Sequence, residues 1–136
     1  MRKHLNLILC TVIPSLLILS NAFSQSLAAT VVISGLPIKK DMSDMGGTEQ
    51  VELSKSDRWN YRLEIVKKGN KYYWASRENR ELLFSKSGEF YNFVEPKAAG
   101  YIRITKTEKG VLYMEHLTLG MKNITYWGIA TEHALP

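Results

Sequence analysis

Cysteine is nearly absent from this chain. The one copy, Cys10, lies in an apolar N-terminal stretch. Removal of that stretch leaves no thiol, no disulfide and no cysteine-based metal site. Histidine is scarce as well. Past residue 24 only His116 and His133 remain. A metal centre wants three or four convergent ligands, so the sequence supports no metal site. Aromatic residues are missing altogether from Ser24 to Arg58, whereas 13 lie between Trp59 and Trp127. Aromatic side chains bury large areas and suit pleated surfaces, so the core is expected in the second segment, about 59–130. No basic stripe of the kind that binds nucleic acid is present. Lys39-Lys40 and Lys67-Lys68 are short pairs beside turns.

A long apolar run is also lacking, apart from Leu5–Leu19, which Pro14 interrupts. That run is too short to span a bilayer, which takes roughly 20 residues. It follows Arg2, Lys3 and His4 and precedes Ser20, Ala22 and Ser24, the basic, apolar and small-residue layout of a secretory signal. Cleavage after Ser24 is expected, with Ala22 and Ala28 as alternatives. Of 136 residues it leaves 112, and the net charge falls from +5 to +3 with the loss of Arg2 and Lys3. The expectation is a secreted or periplasmic domain, 25–136, not transmembrane after cleavage, that folds on its core alone, with a loose tail at 131–136.

What is present is strand grammar. Ala29–Ser34 is β-branched and ends at Gly35 and Pro37. Lys39–Thr48 reads as a loop, and Gln50–Leu53 as a short strand. Asn60–Lys67 alternates and meets the turn Lys68-Gly69-Asn70-Lys71, after which Tyr72–Ala75 returns. Further strands are expected at Leu82–Ser85, Phe90–Val94, Tyr101–Thr105, Val111–His116 and Ile124–Ile129, with Ser76–Leu83 as the one segment that could be helical. The fold class is all-β: an antiparallel meander of eight or nine short strands, closed or nearly closed into a barrel, with a two-sheet sandwich as the alternative. The segment before Arg58 either completes the barrel or lies across it.

Several residues could carry chemistry. Arg77 and Arg80 follow Tyr72-Tyr73-Trp74, and guanidinium groups beside rings can hold a carboxylate, phosphate or sugar acid. The plain alternative is a solvated turn balanced by Glu78 and Glu81. Tyr101 and Arg103 share one strand face, and Tyr113 and Glu115 share a face of the next strand. A three-residue loop sets Arg103 opposite Tyr113. A two- or four-residue loop sets Arg103 opposite Met114 and Tyr101 opposite His116. Thr125-Tyr126-Trp127-Gly128 ends the last strand, and its glycine marks a bulge or a close backbone approach, a ligand's included, with Trp127 or Tyr126 plugging the end of the core as the plain alternative. Asn123-Ile124-Thr125 matches the N-glycosylation sequon, which matters only in a eukaryotic secretory pathway.

These residues suggest a binding module for a small molecule or an envelope or extracellular partner. Its walls would be Trp59, Tyr61, Trp74, Tyr101, Tyr113, Tyr126 and Trp127, and its anchors Arg77, Arg80, Arg103, Glu115 and His116. No cofactor motif is present. Two alternatives stand beside this reading: an interaction protein with an exposed aromatic patch, and a small enzyme with Glu115 or His116 as acid or base. No nucleophile motif supports the enzyme.

Overall fold

The computed structural model describes residues 27–97 and 100–136, so the expected signal segment lies outside the described residues. Nine strands and one short helix follow in order: β1 (Thr30–Asp44), β2 (Gly47–Glu52), α1 (Lys55–Asn60), β3 (Leu63–Lys68), β4 (Lys71–Trp74), β5 (Arg80–Ser87), β6 (Phe90–Glu95), β7 (Gly100–Thr107), β8 (Gly110–Leu119) and β9 (Lys122–Glu132). All pairings are antiparallel. The sheet runs β2-β1-β3-β4-β5-β6-β7-β8-β9, and β1 pairs again with β9. That last pairing closes an eight-stranded barrel of β1 and β3–β9, with β2 as an extra strand. Closure leaves the barrel wall without a free edge and excludes the sandwich.

The aromatic-poor segment completes the barrel, and β1 is its longest strand. Along one edge β1 pairs first with β3, over Thr30–Gly35, and then with β2, over Lys39–Asp44. Along the other edge it stays with β9. Lys39–Thr48, expected as a loop, is therefore strand as far as Asp44, turns at Met45-Gly46, and continues as β2. Its polar residues fit a strand because this part extends beyond the closed wall. Pro37 does not end β1. It is fully buried at the point where β1 changes partner and its register against β9 shifts, a place where the missing N–H costs least. Val32 and Ile33 also enter the core, so the core is not confined to 59–130.

Tight turns hold the meander. Gly69-Asn70 and Gly120-Met121 are two-residue loops, with the glycine at φ +61° and +62°, the left-handed region that twisted hairpins need. Ser76–Leu83 is not helical. Glu78 and Asn79 both take left-handed φ, and β5 begins at Arg80. The helix falls instead at 55–60. Ser54 caps it by accepting from the Asp57 N–H and donating its hydroxyl to Asp57 Oδ2 at 2.6 Å.

Alternation along the strands fills the barrel. Trp74, Phe93, Ile65, Ile102 and Ile104 are fully enclosed, and Tyr72, Phe84 and Phe93 meet ring to ring at 5.2–5.5 Å. The chain end is tied down: the His133 and Ala134 N–H groups donate to the Val32 carbonyl, and Leu135 packs against the core.

Candidate functional site

The candidate residues separate into an inner and an outer group. The β7–β8 connection is the two-residue loop Glu108-Lys109, which sets Arg103 opposite Met114 and Tyr101 opposite His116. Ile102 and Ile104 therefore point inward, as do Glu115 and Tyr113 opposite them. Tyr101 and Arg103 point out.

The inner group lies at the barrel end that carries the β4–β5 turn. Two backbone bonds from Ala75 and Ser76 to the Glu64 carbonyl shape that turn, and the Glu64 N–H donates to Ser76 Oγ at 3.0 Å. The turn brings Arg77 to Glu115. Arg77 Nη2 lies 3.0 Å from Glu115 Oε1 and 3.2 Å from Oε2, and Nη1 donates to the Ser76 carbonyl. Glu115 has 0% exposure, and the Arg77 side chain 18%. Tyr126 packs on Tyr61 with ring centroids 5.1 Å apart. Arg77 sits over the Tyr126 ring and Lys40 over the Tyr61 ring, so a cation lies near each member of the tyrosine pair. Gly128 is the close approach foreseen in the sequence, and its occupant is internal: an added Cβ would lie 2.5 Å from the Tyr113 ring and 2.4 Å from the Leu36 carbonyl.

Burial dominates the electrostatics of this layer. Loss of solvent pushes the Glu115 carboxyl up to about 7, although Arg77 and the nearby Trp74 indole pull it down. Desolvation also pushes Tyr126 up to about 12 and Tyr113 higher still. Among the described residues the Tyr113 hydroxyl has no hydrogen-bond partner, and Trp74 Nε1 approaches Glu115 without a well-formed hydrogen bond.

The outer group is dispersed. Tyr101 stacks on His116 at 5.2 Å, and His116 Nδ1 lies 3.0 Å from Thr125 Oγ1. Arg103 donates to Asn92 Oδ1 and covers Phe90. Trp127 donates to Asp41 Oδ2 at 2.8 Å. A side-chain hydrogen bond from Gln50 holds Asp41 below its usual value, with help from Trp127 and Lys39. Arg80 pairs with exposed Glu78, the solvated-turn alternative, while Arg77 alone turns inward. No three His, Cys, Asp or Glu side chains converge as metal ligands among the described residues.

Trp59 stands apart on α1, with 63% exposure. It borders a trough of about 590 Å³ between the helix and the outer face of β1 and β9, floored by Leu36, Ile38 and Ile129. A second depression of about 620 Å³ adjoins it, lined by Leu36, Lys55, Arg58 and Trp59. Leu36, Ile129 and Leu112 face one another across three strands and are all exposed. Arg58 donates Nε–H to the Leu53 carbonyl, and Arg62 lies over the Trp59 ring at 5.0 Å. Among the described residues no carboxylate forms an ion pair with Lys55, Arg58 or Arg62.

Of the sequence candidates only Trp59 belongs to this trough. Two sequence signals point to its other parts. Ser54-x-x-Asp57 is a helix-start pattern, and β9 carries apolar residues on both faces, where an antiparallel strand usually has one polar face. No protein-family model, curated protein or solved structure matches the chain.

Proposed function

We propose that this protein is a binding module of the secreted or periplasmic space that holds a small molecule or partner in the outer trough beside Trp59. The observation that carries the reading is the contrast in access. The barrel interior is filled with large side chains down to Glu115, while Trp59 projects over an apolar floor open to solvent. A soluble protein gains nothing in stability from such exposure, and open apolar surface of this kind is typical of binding sites. Export is supported by the layout of residues 1–24. An acid–base role for Glu115 has suitable acidity, but the carboxylate is sealed and paired with Arg77, so a substrate has no route to it.

Native mass spectrometry of the purified protein tests the proposal. A reproducible bound mass is expected, lost in Trp59→Ala and kept in Arg103→Gln. A bound mass that survives Trp59→Ala and disappears in Glu115→Gln would return the site to the interior.

A further inference from the structure

The outer trough and the depression that adjoins it differ in chemistry. Leu36, Ile38 and Ile129 give the trough an apolar stretch, continued by the polar Ser34, Glu64 and Thr131. Ile129 lies in a strand paired on both edges, so an extended peptide finds no free ladder there, whereas an alkyl chain needs none. The adjoining depression carries Lys55 and Arg58 with no carboxylate in its lining, and Arg62 stands beside Trp59. Asp57, the acidic residue of α1, is committed to the Ser54 cap. Glu64 lines the trough but not the Lys55 depression. Among the described residues Lys55 and Arg58 thus line a depression without an ion-pair partner, and Leu36, Arg58 and Trp59 line both it and the trough.

Resting on the outer-trough reading, we infer that the ligand is a single-chain anionic amphiphile, its alkyl chain along Leu36 and Ile129 and its head group at Lys55 and Arg58. The combined space suits one chain rather than a folded partner. Arg58 is partly fixed by its bond to the Leu53 carbonyl, which leaves its terminal nitrogens to meet a carboxylate, sulfate or phosphate head.

Calorimetric titration of the purified protein with dodecanoate, below its micelle concentration, tests this. One dodecanoate is expected per chain. Each methylene removed should weaken binding by about two- to fourfold, depending on how fully the trough covers it. Dodecyltrimethylammonium should bind at least tenfold more weakly, and added salt should narrow that gap. Lys55→Gln/Arg58→Gln/Arg62→Gln should lose the head-group preference while keeping Trp59, and Trp59→Ala should weaken every chain. The head-group series on the unaltered protein is independent of any variant's folding. Equal affinity for both head groups, still sensitive to Trp59→Ala, would overturn the anionic ligand and leave the trough reading intact. Dodecanoate binding indifferent to Trp59→Ala would overturn both. Absence of dodecanoate binding, with a Trp59-dependent mass in native spectra, would overturn the inference alone. Co-sedimentation with phosphatidylglycerol vesicles without dodecanoate binding would replace the single chain with a bilayer surface.

Discussion

Trp74 and Trp59 lie in contrasting surroundings. Trp74 is fully enclosed, packed against Gly100 and close to the Glu115–Arg77 pair. Trp59 sits on a one-and-a-half-turn helix that buries no residue, with the Arg62 guanidinium over its ring. Both regions combine an aromatic ring with arginine, yet they do opposite work. Inside, the arginine neutralises a carboxylate that water cannot reach, and the result is order in the core. Outside, among the described residues, Lys55, Arg58 and Arg62 form no ion pair and Leu36 and Ile129 stay exposed, which is where the proposed ligand would sit. Access, rather than residue type, separates the packed cluster from the proposed binding surface.

Stability measurements can break that comparison. The largest effect is expected from Trp74→Ala, which empties the centre of the core and should cost about 3–5 kcal/mol in denaturant melts. A cost under about 1 kcal/mol would show that the interior is looser than its packing implies.

The Glu115 carboxyl gives a pH signature. Its folded value of about 7 lies above the ordinary 4.5. Between those values the folded protein holds a proton that the unfolded chain releases. Stability from this group should therefore be full below pH 4.5, fall as pH rises to about 7, and level off above. The total is on the order of 3 kcal/mol. Glu115→Gln should flatten this slope. Asp41, held low by Gln50, acts oppositely and at lower pH, where its contribution is lost by protonation.

Gly128→Ala should cost about 1–3 kcal/mol, because the new methyl meets the Tyr113 ring and the Leu36 carbonyl. Thermal unfolding reads it directly. The smallest effect belongs to Trp59→Ala, expected within about 0.5 kcal/mol of the parent. A large loss there would make Trp59 a structural residue and remove the contrast.

Much of the architecture was legible from alternation and turns. Tyr113 and Glu115 share a face in sequence and in the barrel, and Gly69-Asn70 turns where its residues allow it. The path of β1 was not legible, because Lys39–Asp44 has the polarity of a loop and becomes strand only through β2 and β9. Of the site residues, Tyr61, Trp74, Arg77, Tyr113, Glu115 and Tyr126 do converge, around a carboxylate that is fully buried. For Arg103 the sequence left both faces open, and the two-residue turn places it on the outer one, opposite Met114. One residue of loop length decides such a question, and composition does not encode it. The trough was hidden for a related reason. Leu36, Ile129 and Trp59 are separated by long stretches of chain and meet only when β1 closes on β9 beneath α1.

The chain has three tryptophans, at positions 59, 74 and 127. Their indole N–H signals in a proton–nitrogen correlation spectrum report on the trough, the interior and the outer wall separately. Titration with dodecanoate is the most direct test of the division between a structural interior and a binding exterior. The account predicts a saturable shift of the Trp59 signal with Trp74 unmoved. A saturable shift of Trp74 with Trp59 unmoved would contradict it and place the ligand inside the barrel.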